Sequence, residues 1–343
     1  MKHGVMDHGA MGQRVMQLSA LIPTTGEFGQ IVRHARLADE LGFESINCSH
    51  IAARDSFTTL AALASVAPQV RLGTAVAPIY HRSPASMAQT AATLDDLSGG
   101  RFRLGLGTGH RVTMSSWHGQ QIGKPLEEMR EYVSVVRALL AGEVVPNGSR
   151  WSSTFSFTGF TPRRDIPIYL AGLSAGMIRL AGEIADGIVL WACPASYVRD
   201  VVVPELRAAR LAAGKDPLAF DIVAAVPAAA TDDVGPAEAG IRTELHRYFG
   251  LPFYRTMFRT AGYGDDVAAY DAAGERERQL AAISDGFIDD LCAIGDGNSV
   301  VKALDRGSSS IRSTCSAKTF GSCKRLCSAS RNNSSSGMVD HKK

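Results

Sequence analysis

The residues of this chain whose types and spacing suit chemistry are two histidines, two glycine-rich turns and a tryptophan. His50, next to Ser49, and His110 each follow an apolar run. An imidazole changes charge near neutral pH, so either can act as acid or base, although a hydrogen-bonded structural role is the commoner fate of one histidine alone. In Arg101-Phe-Arg-Leu-Gly-Leu-Gly-Thr-Gly-His110, the glycines Gly105, Gly107 and Gly109 flank Leu106 and Thr108. Without Cβ atoms they let a ligand reach the backbone, and successive amides in such a turn form a concavity for a phosphate or a flat ring. A glycine-rich turn with no ligand is the plainer reading of one such loop. The second turn, Gly172, Leu173, Ser174, Ala175 and Gly176, opens a helix whose free N–H groups suit a phosphate. Trp191 and Trp117 offer rings for stacking, with packing as the competing role, and Tyr80 and His81 are candidates for the entrance.

Repeated strand–helix units position these residues. Val15 to Ile22, Glu44 to Ile51, Val70 to Pro78, Arg101 to Leu106, Ile166 to Ala171, Gly187 to Trp191 and Phe220 to Val226 read as strands. Helices are expected over Gly29 to Leu41, Ser56 to Ala67, Pro84 to Leu97, Pro125 to Ala141, Ala175 to Ala185 and Ala195 to Ala213. Trp151 to Phe160 alternates and reads as a short hairpin or excursion, and a long helical region follows the seventh strand, with Pro236 to Phe249 and Gly274 to Ile294 its clearest pieces. Seven units in one direction imply a parallel sheet, and their regular recurrence favours a closed (β/α)8 barrel over an open sheet. Ser49, His50, Ala75, Val76, Thr108, Gly109, His110, Leu173, Ser174, Ala175 and Trp191 then share the rim at the C-terminal ends of the strands, where barrels bind ligands.

Other nucleotide motifs fit poorly. His110 occupies the third glycine position of a dinucleotide fingerprint, and Gly119 to Pro125 has the wrong spacing for a P-loop. The six cysteines form no C-x-x-C pair and no H-E-x-x-H helix occurs, so no metal site is expected. No stretch is apolar enough to span a bilayer, which places the expectation in the cytoplasm. The net charge of +2 is uneven, because residues 306–343 carry +7 and the remainder −5. Apolar periodicity stops near Leu304 and serine becomes abundant. The expected division is therefore a barrel domain over residues 14–305 and a basic Ser-rich tail over 306–343, read as disordered or frameshifted near Arg306. Solvated charge explains that tail better than nucleic-acid binding. No convincing eighth strand is visible, so the last β–α unit is expected to be missing or altered. Were it missing, the first and seventh strands would keep exposed edges.

The chain resembles the bacterial luciferase-like superfamily of flavin- and deazaflavin-dependent oxidoreductases, over about Val15 to Asp305. The resemblance rests on Gly100 to Gly109 and on Ile168 to Gly187, the latter similar to the branch that includes methylene-tetrahydromethanopterin reductase. It implies a (β/α)8 barrel and coenzyme F420, with FMN as the alternative cofactor. By the same resemblance Ser49 and His50 sit near the reactive face of the ring, and Ala75 and Val76 match a strand end that often carries a non-prolyl cis peptide behind it. Thr108 and Gly109 match positions near the cofactor side chain, and Leu173 and Ser174 match the phosphate turn, where glycines often stand instead; Gly107, Gly172, Ala175 and Trp191 complete the expected cofactor-binding set on the same rim. His50 and His110 are the expected catalytic residues. His110 stands where sugar-phosphate dehydrogenases of the superfamily have a glutamate, which argues against that substrate. The expected activity is hydride transfer between F420 and a small organic substrate, weakened if the altered C-terminus disables the barrel. The rivals are an FMN-dependent monooxygenase and a catalytically silent cofactor-binding barrel. A homodimer is an open option; no membrane partner is expected.

Overall fold

The computed structural model describes residues 17–305 and 312–317. Ten strands form one parallel sheet: β1 (Ser19–Leu21), β2 (Ser45–Cys48), β3 (Arg71–Thr74), β4 (Ala77–Pro78), β5 (Phe102–Gly107), β6 (Ile168–Ala171), β7 (Gly187–Trp191), β8 (Asp221–Ala230), β9 (Ala293–Gly295) and β10 (Arg312–Ala317). β1, β2, β3, β5, β6, β7 and β8 pair in that order, with β4 also against β5, and β10 pairs with both β8 and β1, from Arg312 opposite Val223 to Ala317 opposite Ala228 and from Ser19 opposite Thr314. That pairing closes the sheet into the expected barrel. The last unit is altered rather than missing, so β1 and β8 do not keep the open edges that its loss would have left. The remainder of the tail lies outside the described residues.

The βα turns are fixed by side chains that satisfy the unpaired amides of helix N-termini. Asp55 accepts the Thr58 amide at 2.8 Å, Ser83 the Ser86 amide at 3.2 Å ahead of Pro84, and Ser174 the Met177 amide at 3.3 Å. The helices that flank the sheet lay buried stripes on it, such as Ile31, Ala35 and Ala38 from Phe28–Glu40. At the opposite, N-terminal end of the barrel, buried polar groups are paired: Arg103 holds Glu44 at 2.9 Å, and Ser45 donates to Ser19 at 2.7 Å.

Several elements depart from the sequence reading. Ala195 to Ala213 divides into Ala195–Tyr197, a π-helical turn at Val198–Val202 and Val203–Ala212. Pro204 has no N–H to continue the regular bonding pattern there. The run from Gly274 to Ile294, entered at Gly274 (φ 71°), divides into Arg276–Ala281, Asp285–Leu291 and β9, because Ser284 caps a new helix at the Phe287 amide. Helix Arg111–His118 occupies a segment read as a loop, and helices Pro252–Thr260 and Gly264–Ala273 lie within the stretch read as one long helical region. The expected hairpin at Trp151 to Phe160 reduces to one antiparallel bridge, Val145 to Ser153.

Candidate active site at the barrel mouth

The end of β3 gives the glycine run its structural reason. Gly73 pairs with Arg103, while Ala77 in β4 pairs with Leu106, so one extra residue is accommodated between them as a bulge. The Ala75–Val76 peptide in this bulge is cis, as the resemblance implied. A Cβ on Gly105 would lie 1.9 Å from the Thr74 carbonyl oxygen, and one on Gly107 would lie 2.6 Å from Val76 Cγ2. These two glycines therefore admit the chain's own strand end, which corrects the reading that they clear space for a ligand. The Thr74 hydroxyl donates to the Gly105 carbonyl at 2.8 Å and accepts its amide at 2.9 Å, replacing the interrupted ladder. Past the strand, Thr108 is half-buried, Gly109 adopts φ 69°, and exposed His110 leads into Arg111–His118. This last part of the turn is what the mouth presents.

Ser49 and His50 follow β2 and are half-buried. His50 Nδ1 lies 2.9 Å from the Ser56 hydroxyl and accepts the Ser56 amide at 3.3 Å. Asp55 Oδ2 stands 3.8 Å from the same nitrogen, and Arg82 binds that carboxylate at 2.6 Å. Two further imidazoles follow: the His81 ring centroid is 5.2 Å from that of His50 and 4.0 Å from that of His118. Burial, opposed by Asp55 but assisted by Arg82 and His118, holds His50 below its ordinary pKa. His81, desolvated and facing His118, His50 and Arg82, is pushed down to about 4, and its Nε2 is buried without a partner. Tyr80 does not line the entrance. It is buried and donates to Glu128 at 2.5 Å.

Trp191, at the end of β7, stands across the rim from a second set of rings. Its centroid is 6.1 Å from Tyr248, Tyr248 is 4.7 Å from Tyr254, and Tyr254 is 6.4 Å from His110. Trp191 Nε1 is buried near Tyr248 yet meets no acceptor with hydrogen-bonding geometry. Arg247 donates to the Tyr248 hydroxyl at 2.9 Å, and desolvation together with the Arg247 charge lowers the His110 pKa. Sequence reasoning missed Tyr248, Tyr254 and Arg247. They belong to Val234–Phe249 and Pro252–Thr260, where an aromatic residue on an apolar stripe reads as core.

At the second turn, Gly172 is buried and a Cβ on it would lie 3.3 Å from both Ile188 and Met177 side chains. The Leu173 carbonyl accepts the Tyr197 hydroxyl at 2.9 Å, which pins the turn from outside. Ser174 and Ala175 are exposed at the start of Ala175–Ile184, so this N-terminus faces solvent. Trp117 is 60% exposed, so stacking in the mouth gains no support for it. The rim thus carries an imidazole cluster around His50 and an aromatic wall from Trp191 to His110.

A family model for luciferase-like monooxygenases matches residues 9–312. A protein of Mycobacterium tuberculosis named as a coenzyme F420-dependent oxidoreductase is 32% identical over 298 residues, covering 79% of this chain and 86% of that protein. The 5,10-methylenetetrahydromethanopterin reductase of Methanolobus tindarius is 33% identical over 198 residues, covering 57% of this chain and 60% of the reductase. Among solved structures, the coenzyme F420 dependent tetrahydromethanopterin reductase from Methanopyrus kandleri superposes with a TM-score of 0.76 at 19% identity, covering 92% of this chain and 96% of that one. At that identity the likeness establishes the barrel fold. The family match over most of the chain and the long F420-named relative together place this protein in the bacterial luciferase-like family, among homologues named as F420-dependent oxidoreductases.

Proposed function

We propose that the protein is an oxidoreductase that transfers a hydride between coenzyme F420 and a small organic substrate. The observation that carries this reading is a rim that presents His50, the Trp191 indole and an exposed helix N-terminus together, in a chain whose long relative is named for F420. The residues fit such a coenzyme: the Trp191 indole N–H beside Tyr248 suits a ring heteroatom, and the amides at Ser174 and Ala175 suit a phosphate. Thr108 and Gly109 would contact the coenzyme's side chain, Gly172 and Leu173 would shape the phosphate turn, and Ala75 and Val76 would back the ring, with Gly107 supporting them from β5. Ser49 and His50 would face the reacting side. When bound, the deazaflavin supplies two-electron hydride chemistry. The protein's share is orientation and water exclusion, the latter by the Trp191, Tyr248 and Tyr254 wall.

Titration of the protein with F420 and with FMN, followed by fluorescence quenching, tests this reading. F420 binding in preference to FMN is expected, and Trp191→Phe, which keeps a ring but removes the N–H, is expected to weaken it about fivefold, as the loss of one hydrogen bond does. Preference for FMN, or binding of neither, overturns the assignment.

A further inference from the structure

We propose that the backbone amide of Ser56 positions the His50 imidazole in its neutral Nε2–H form, making His50 a hydrogen-bond donor to an acceptor oxygen or nitrogen of the substrate rather than an acid or a base. The identity of the acceptor rests on the oxidoreductase reading above; the tautomer does not. Ser56 is fully buried and is the first residue of helix Ser56–Ala64, so its amide is one of those with no acceptor inside the helix. That amide reaches His50 Nδ1 at 3.3 Å, and the Ser56 hydroxyl lies 2.9 Å from the same atom. A backbone N–H can only donate. Nδ1 must therefore present its lone pair, and a neutral imidazole then carries its single proton on Nε2.

The charges around the ring act in the same direction, with one exception. The positive end of the helix dipole meets Nδ1 and disfavours imidazolium, an arrangement that elsewhere keeps a histidine neutral and able to polarise a carbonyl. Arg82, whose guanidinium lies 4.6 Å over the Phe57 ring, and the neighbouring His81 and His118 add no negative charge. Asp55 is the exception. Its carboxylate is already bound by Arg82 at 2.6 Å and by the Thr58 amide and hydroxyl at 2.8 and 3.1 Å, which draws its charge away from His50.

In this state Nε2 has no lone pair with which to take a substrate proton, and loss of its own proton would leave an imidazolate. His50 therefore polarises the reacting group without exchanging a proton. Net proton movement falls to His110 or to solvent.

The test is nitrogen-15 NMR of the histidine-labelled protein, with the His50 signals assigned by their loss in His50→Gln. A pyridine-type Nδ1 and a pyrrole-type Nε2 are expected above the ordinary histidine value, at about pH 7 to 8, and both are expected to persist in Ser56→Ala, which keeps the amide, and in Asp55→Asn, which keeps a capping side chain. A proton on Nδ1, or an imidazolium signature that disappears in Asp55→Asn, overturns the proposal. In turnover, His50→Gln keeps a neutral donor and is expected to stay within about tenfold of the parent kcat, whereas His50→Ala loses about 10² to 10³, as removal of one preorganised donor does. Equal loss in the two variants marks an acid or base and overturns it. If the tautomer is found but F420 supports no turnover, the oxidoreductase reading fails and the positioning role of Ser56 stands.

Discussion

His50 and His81 share an electrostatic condition: removal from water outweighs the attraction of Asp55, while at His110 desolvation and the Arg247 charge act together, so each binds a proton less readily in the fold than in the free chain. The consequence for stability has a definite sign. Below the ordinary histidine value of 6.5 the unfolded chain takes up protons that the folded chain refuses, so stability present above that pH is lost as the pH falls. For His81 the loss runs from 6.5 down to about 4. The carboxylate of Asp55, held below its usual value by the Thr58 amide and by Arg82 despite burial, adds a second loss only below the ordinary aspartate value of 3.8. Urea unfolding at pH 7 and pH 5 should therefore show a drop in midpoint at the lower pH. His81→Gln, which cannot take up the proton in either state, should reduce that drop. An unchanged difference between the two pH values would mean that His81 is solvated in the folded protein.

Elements turn these residues into a site, and the β3–β4 bulge against β5 is the most constrained of them. Gly105→Ala places a methyl 1.9 Å from the Thr74 carbonyl oxygen, a backbone atom flanked by the Thr74 hydrogen bonds to Gly105, so the strand itself must move. Gly107→Ala meets the end of the Val76 side chain at 2.6 Å, which can shift. Overpacking costs about 1–3 kcal/mol and more when backbone is displaced, so Gly105→Ala should destabilise by about 3 kcal/mol or more and Gly107→Ala by clearly less. Equal unfolding midpoints for the two variants would rule out this packing account. The same bulge shows where sequence reading reached its limit. Alternating apolar residues and the glycine spacing located β5 and its rim turn, and helix Pro84–Leu97 appears with the bounds its sequence predicts. What the glycines make room for is a tertiary relation between β3 and β5, and no local pattern encodes it. Tyr248 and Tyr254 escaped for a related reason, since a ring facing a mouth and a ring facing the core have the same helical spacing.

At the scale of the whole molecule, the barrel depends on a strand whose sequence does not announce it. Arg312–Ala317 lacks the apolar alternation of the other strands, yet its backbone pairs with six consecutive residues of β8, Val223 to Ala228, and with Ser19 and Ala20 of β1. Pairing of main-chain N–H and C=O groups is indifferent to side-chain identity, which is why a compositional break at Arg306 can coexist with closure. Opening this seam would leave two parallel strands with unpaired edges, a template for association with other chains. A chain ending at Asp305 is therefore expected to melt at lower temperature than the full chain and to aggregate on concentration. A chain ending at Ala317 should keep the full chain's melting temperature, because it retains the closing strand. Melting curves and light scattering on the three proteins decide the matter. If the chain ending at Asp305 stays monodisperse and melts with the full chain, β10 contributes nothing to closure. If the chain ending at Ala317 is as unstable as the shorter one, the seam requires residues beyond it.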